Sequence, residues 1–282
     1  MSTVTPQLIK ELRERTGVGM AKCKAALEEA EGNLEKAIEN LRKAGMASAV
    51  KREGREANEG VIGTGESDDA ISFVEVNSET DFVAQNDKFK AFVKDLSDLV
   101  ASEQPESLKA FLGLSSPEDP SLTIDQLRAL IVQSLGENIQ IKRIQALPKS
   151  SDKSIGVYSH MGGKIVTAIE LSGGAGNEAL ARDIAMHVAA ESPEYLTPED
   201  VPNEKLEIEK DIARTQVKGK PENILDKIVE GKIKAFYDQV CLVCQKYVKD
   251  NSMTITQLLE KESKDAGKKI EITQFFRWQV GE

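Results

Sequence analysis

The strongest constraint on this chain is an internal repeat. Residues 122–147, LTIDQLRALIVQSLGENIQIKRIQAL, lie on residues 253–278, MTITQLLEKESKDAGKKIEITQFFRW, without a gap. Thr123, Ile124, Gln126, Leu127, Gly136, Ile139 and Ile141 meet Thr254, Ile255, Gln257, Leu258, Gly267, Ile270 and Ile272. Each copy reads as a helix, a glycine that caps it and a strand of alternating pattern. The upstream parts follow in the same order. EGVIGTGESDDAISFVEVN matches IGVYSHMGGKIVTAIELS as two strands joined by a tight turn, and FKAFVKDLSDLVAS matches ALARDIAMHVAAES as a helix. Two copies of strand, strand, helix, helix, strand predict an α+β chain with two small antiparallel sheets, each packed on helices.

The copies differ between their two helices. The first spends residues 103–121 there, with three prolines, whereas the second spends 192–252. The excess reads as a helical hairpin over about 199–240. Leu206, Ile208, Ile212 and Val217 stripe one arm, and Gly219-Lys220-Pro221 turns the chain. Ile224, Leu225, Ile228, Val229, Ile233, Phe236 and Val240 stripe the other. The two stripes predict a protruding antiparallel pair that buries little and moves easily.

Residues 1–56 carry none of the repeat. Leu8, Ile9 and Leu12, then Met20, Cys23, Ala26, Leu27 and Ala30, then Leu34, Ala37, Ile38 and Leu41 give three short helices, the last ending near Gly45. The block resembles a ubiquitin-associated-like three-helix domain. Residues 44–58 read as a linker, helical at its start. TGVG holds a G-x-G, but no strand precedes it and no third glycine follows, so it is no nucleotide fingerprint.

Asn77–Asp87, NSETDFVAQND, joins a half-buried strand, AISFVEVN, to an amphipathic helix carrying Phe89, Phe92, Val93, Leu96 and Val100. Ser78, Thr80, Asn86 and Asp87 supply turn and cap chemistry. Phe82 is surplus to that task. In one reading it staples the junction to the helix below. In the other, Asp81 and Phe82 are held out to enter a partner, an aromatic anchor ringed by polar groups being a common hot-spot composition. The matching junction of the second copy, LSGGAGNEALA, has neither an aromatic nor an Asp-Phe pair, so the fold itself does not call for Phe82.

Charge and composition exclude several classes. A net charge of −10 argues against a general nucleic-acid binder. Residues 1–56 carry eleven Lys/Arg against nine Asp/Glu, which leaves the rest strongly acidic. No apolar run approaches the roughly 20 residues of a membrane span, and the N-terminal residues lack the apolar core of a signal peptide. Three cysteines make no disulfide framework, and the expectation is a cytoplasmic protein. Cys241 and Cys244 form a C-x-x-C, but further ligands for a zinc site (Cys23, His160, His187) are scattered, and a redox pair belongs at a helix N-terminus after a strand. His160 sits in a turn and is exposed. His187, within an apolar helix, reads as a satisfied core or interface histidine. No paired carboxylates, nucleophile–base pair or P-loop stands out, so the chain is expected to act by binding, without cofactor.

Four segments carry a closer resemblance: KELRERTGVGM from Lys10, EVNSETDFVAQND from Glu75, GENIQIKR from Gly136 and IAMHVAAESPEYL from Ile184. In this order they resemble the elongation factor Ts family, guanine-nucleotide exchange factors of elongation factor Tu, over nearly the whole chain. The resemblance implies a ubiquitin-associated-like domain, two related core subdomains, a coiled-coil arm in the second and a C-terminal module. It assigns Mg²⁺ dislocation in the partner to Thr80, Asp81, Phe82 and Val83. It also assigns partner contacts to Arg13 and Met20, to His160 on the phosphate side, and more weakly to Leu135. Ala21 stands where many relatives have a second bulky residue. Lys246 stands where the family pattern Gln-Pro-Phe-Val has its proline, and Cys241 and Cys244 are additions.

The expected division is 1–56 for the helical domain and linker, 57–148 for the first subdomain, and 149–282 for the second with its arm and C-terminal module. The expected partner is elongation factor Tu, with no direct nucleotide, nucleic-acid or membrane binding. The alternatives are a non-catalytic adaptor or chaperone of translation factors, and a thiol redox protein.

Overall fold

The computed structural model describes residues 4–117, 119–216 and 222–282, with the backbone alone for 222–225. Three helices come first: α1 (Pro6–Thr16), α2 (Met20–Glu29) and α3 (Leu34–Arg52). The first sheet and its helices follow: β1 (Glu59–Glu66), β2 (Ala70–Ser78), the single turn α4 (Asp81–Ala84), α5 (Asp87–Glu103), α6 (Leu108–Leu112), α7 (Ile124–Leu135) and β3 (Gln140–Pro148). The second set is β4 (Lys153–His160), β5 (Ile165–Ser172), α8 (Glu178–Glu191), α9 (Asn203–Gln216), α10 (Glu222–Val240), α11 (Ile255–Ala266) and β6 (Ile272–Gln279). Two three-stranded sheets result, ordered β1-β2-β3 and β4-β5-β6. The chain divides into two compact units, Met1–Pro148 with Gln279–Glu282, and Lys149–Trp278. The expected α+β class, with two small antiparallel sheets on helices behind an N-terminal helical segment, is what the chain forms.

The repeat is visible in hydrogen bonds. Thr123 and Gln126 close a capping box on α7, and Thr254 and Gln257 close the same box on α11. The helices stop at Gly136 (φ 83°) and Gly267 (φ 66°), left-handed positions that favour glycine. The correspondence also runs further upstream than the sequence match. Ile124 donates to the Leu114 carbonyl and Ile255 to that of Gln245. Before each capping box an aspartate takes the amide two residues on, Asp119 from Ser121 and Asp250 from Ser252. The Asp-x-Ser turn is thus common to both copies, while the residues further upstream differ in sequence and match only through the backbone bond.

In each unit one helix rests on the sheet with almost no gap. A Cβ on Gly65 of β1 would lie 2.3 Å from the Ser97 carbonyl oxygen of α5, and one on Gly156 of β4 would lie 2.1 Å from the Arg182 amide of α8. A hydroxyl on the middle strand then donates to the helix backbone: Ser72 to Ser97 O at 2.5 Å, Thr167 to Ala185 O at 2.6 Å. Around these contacts Val74, Val76, Phe89, Phe92, Leu96 and Val132 bury one core, and Ile169, Leu171, Ile184, Val188, Leu258 and Ile270 bury the other.

Three expectations need correction. Strand β2 is buried at eight of its nine positions rather than on one face. Its far side carries Glu75, which is fully buried and must be compensated. Arg143 Nε at 2.6 Å and the Gly281 amide at 3.2 Å supply that compensation. Helix α3 does not end near Gly45 but runs to Arg52. A Cβ at Gly45 would sit 3.3 Å from Leu130 and 3.4 Å from the Ala129 carbonyl, so this glycine admits α7 against α3. In the arm, Ile208 and Ile212 are exposed, while Ala213 is buried. At about 100° per residue, Ala213 falls within about 20° of Leu206, and Ile208 and Ile212 fall on the far side. Val217 and the Gly219-Lys220-Pro221 turn lie outside the described residues, as do the side chains of Ile224 and Leu225.

His187 on α8 is fully buried. Its Nδ1 accepts from the Val248 amide at 3.2 Å, which leaves Nε2–H to donate to Gln245 Oε1 at 3.0 Å. Burial holds its pKa below the ordinary histidine value, against a smaller upward pull from Gln245. As pH falls, the unfolded chain therefore takes up this proton first, so stability is complete above pH ~6.5 and declines below it. Urea unfolding at pH 7.5 and 5.5 is expected to show a larger loss for the wild type than for His187→Gln. Gly65→Ala is expected to cost about 1–3 kcal/mol by overpacking β1 against α5. Gly54→Ala, whose Cβ meets nothing within 4 Å, is expected to leave the urea midpoint unchanged.

Candidate functional site

At the end of β2 the chain leaves the sheet through Glu79 and Thr80. Thr80 N-caps the single turn α4, its Oγ1 accepting from Val83 N at 3.4 Å. A turn this short cannot hold itself together, and its outer residues are tied down. The Glu137 carboxylate accepts from the Thr80 amide at 3.0 Å and from its hydroxyl at 2.6 Å. Ala84 is fully buried, and Val83 packs against the core of the first unit. Asn86 then caps α5, accepting from the Lys88 amide at 2.9 Å. Two residues of the turn are left pointing outward. Asp81 is exposed, and Phe82 is 85% exposed, more than any other large hydrophobic among the described residues. Phe82 therefore staples nothing.

The junction joining β5 to α8 is built otherwise. Gly173, Gly174 and Gly176, all at positive φ, carry the chain from β5 to α8. Glu178 accepts from the Gly176 amide at 3.1 Å and from Ser154 Oγ at 3.1 Å. These bonds hold its carboxyl below the usual range, the Gly176 amide foremost. The same strand-to-helix step is made there with no projecting aromatic.

Of the other singled-out residues, Met20 opens α2 and is 56% exposed, because Val18, two residues before it, fills the helical core instead. Arg13 is exposed on α1, and its carbonyl accepts the Gly17 amide that ends the helix. Leu135 is half-buried and packs on the core of the first unit, so little of it is available. The Met20 loop and the Phe82 junction both attach to the end of α7. Ser134 Oγ donates to the Gly17 carbonyl at 2.7 Å and accepts from Lys88 Nζ at 2.9 Å, while Glu137, just past the helix, holds Thr80. Met20, Leu135 and Thr80–Val83 are thus tied to one helix end. His160 belongs to the other unit. It closes β4, is exposed, and its Nδ1 lies 3.1 Å from the Tyr158 hydroxyl.

Two residues were not singled out from sequence. Met161 is 70% exposed at φ 50°, and the Met-Gly-Gly run that forces the turn was its signal. Glu137 lies inside GENIQIKR, but its contact is made 57 residues away in sequence, which no local pattern reveals.

Burial pushes the Cys241 thiol up to about 12 and raises that of Cys244 as well, with the neighbouring thiol and acidic side chains adding to it. Metal binding and thiol exchange need the opposite shift. Among the described residues no group of three or more His, Cys, Asp or Glu is placed to hold a metal ion, and no helix is long and apolar enough to cross a membrane. A hollow of about 810 Å³ between α6, α7 and β3 contains Arg128, whose guanidinium is bound to Asp125 and to the Ile139 carbonyl.

Residues 79–282 match the sequence model of the family described as elongation factor Ts. The chain is similar along its full length to an elongation factor Ts from Protochlamydia amoebophila, 61% identical over 282 residues and 100% of both chains. It is also similar to proteins of that name from Chlamydia caviae, at 47%, and Chlamydia felis, at 45%, each over 281 residues and 100% of both chains. With identities this high over its whole length, the chain belongs to the elongation factor Ts family.

Proposed function

We propose that this protein is the guanine-nucleotide exchange factor of elongation factor Tu, and that it speeds GDP release by disturbing the partner's Mg²⁺ and phosphate site. The observation that carries the reading is Phe82, 85% exposed on a turn anchored at Thr80, Val83 and Ala84. An aromatic held rigidly outside its own core is suited to enter a partner. Mg²⁺ requires near-ideal octahedral geometry. A ring inserted beside its ligands shifts them and weakens nucleotide binding without touching the nucleotide. Asp81 brings a negative charge to the same place, and Thr80 and Val83 hold the pair in position.

No bond is made or broken in this function, and the protein is a catalyst of exchange rather than an enzyme. It must bind the nucleotide-free partner better than the GDP-bound one. A coupling of about 5.5 kcal/mol corresponds to roughly 10⁴-fold, and by linkage an incoming nucleotide expels the factor by the same ratio. Residues 1–56 dock through Arg13 and Met20, residues 57–148 carry Phe82 with a minor contact at Leu135, and residues 149–282 bring His160 and the arm.

Release of fluorescent GDP from elongation factor Tu is the direct test. The wild-type protein is expected to accelerate release by orders of magnitude, and binding without acceleration would favour an adaptor. Phe82→Ala is expected to lower the maximal release rate at least tenfold, about 1.4 kcal/mol, with a smaller change in affinity; undiminished exchange would reject the wedge. Cys241→Ser with Cys244→Ser is expected to leave exchange intact, and its selective loss would revive a thiol mechanism.

A further inference from the structure

Strands β2 and β3 pair up to Asn77 opposite Gln140 and then diverge. Continuing that register would set Glu79 opposite Asn138 and Thr80 opposite Glu137. The pairing does continue, but through side chains. The Asn138 amide donates to Glu79 Oε1 at 2.6 Å. In return the Thr80 amide and hydroxyl donate to the two Glu137 oxygens at 3.0 and 2.6 Å. Two carboxylates thus replace the backbone carbonyls of a sheet ladder just where the strands separate. Asn138 Nδ2 donates onward to the Arg55 carbonyl at 2.8 Å, and Arg55 pairs with Glu79 at 3.4 Å.

The second copy of the repeat makes the same fold without this device. The positions matching Glu137 and Asn138 are Lys268 and Lys269, and the junction opposite them is Gly173-Gly174. Neither the helix cap nor the strand requires the carboxylates. What the first copy has in addition is Phe82, and a turn of four residues has no cooperative stability of its own. Hydrogen bonds to a charged acceptor are shorter and stronger than neutral ones, and here they fix both donors of the residue that begins the turn.

We propose that Glu137 is a positioning residue for exchange: holding Thr80 while Glu79 holds Asn138, it sets the angle at which Phe82 projects. This rests on the wedge reading above and extends it to a residue that touches neither partner nor nucleotide. Glu137 acts only through Thr80, so its contribution disappears once the ring is gone.

The experiment compares full-length wild type, Glu137→Ala, Glu137→Gln, Phe82→Ala and the Phe82→Ala/Glu137→Ala double variant. Release of fluorescent GDP from elongation factor Tu is measured over a range of factor concentrations, with thermal unfolding of each variant recorded alongside. Glu137→Ala is expected to lower the maximal rate roughly tenfold while the half-saturating concentration moves less. Glu137→Gln keeps one acceptor for the Thr80 amide and gains a donor for its hydroxyl, so it is expected to recover most of the rate. The double variant is expected to be no slower than Phe82→Ala alone. Should Glu137→Ala fail to fold, Thr80→Val removes the hydroxyl half of the latch and takes its place in the same comparison. Wild-type rates from Glu137→Ala overturn the proposal. So does Glu137→Gln as slow as Glu137→Ala, or a double variant slower than Phe82→Ala by the full Glu137→Ala factor. Phe82→Ala at wild-type speed rejects the wedge itself; a slow Phe82→Ala beside a fast Glu137→Ala rejects the latch alone.

Discussion

The contact on which each unit depends is the seating of one helix directly on the first two strands of its sheet. Gly65 and Gly156 remove the side chain that would stand between backbone and backbone, and Ser72 and Thr167 bond the helix from the neighbouring strand. At that distance β-strand and helix side chains interlock with little slack, and the apolar residues of β2 and α5, or of β5 and α8, close one continuous core. Everything else in a unit is arranged about this pair. The capped helix that follows lies beside it, and the third strand completes the sheet.

In the first unit the end of α7 is where the Met20 loop and the Phe82 turn are both attached. Gly136 stops the helix, Ser134 reaches the loop before Met20, and Glu137 and Asn138 reach Glu79 and Thr80. The N-terminal helices are attached to the same helix by α3, with Gly45 providing the close approach. One helix terminus therefore sets the position of the Met20 loop and of the Phe82 turn together. Exposed apolar side chains are costly to display, and a rigid base keeps Phe82 from folding back onto the core it would otherwise join.

The two copies share a backbone and differ in use. The first holds its strand-to-helix junction with carboxylates and extends an aromatic from it; the second bridges it with glycines and devotes its long insertion to α9 and α10. Ile208 and Ile212 stay on the outer side of α9 because the spacing that brings Leu206 and Ala213 onto α10 rotates them away. Buried His187 and Gln245 tie α8 to the segment after the arm. The Gln245–Ile255 backbone bond there has the same form as its counterpart between Leu114 and Ile124.

The sequence by itself determined the periodic and the local. The stops at Gly136 and Gly267 and the order of strands and helices depend on residues a few positions apart, and the repeat stated each of them twice; the oddness of Phe82 came from the one place where the copies disagree. Tertiary structure decided what depends on contacts distant in sequence. Strand β2 reads as half-buried until Arg143 is seen to neutralise Glu75 and the Gly281 amide to bond it. Gly45 reads as a helix end until α7 lies against it. Glu137 reads as one more acidic residue until it meets Thr80. A one-dimensional pattern records which side chains can be buried. Which backbone groups find partners, and which aromatic is left outside, is settled only when distant segments compete for the same space.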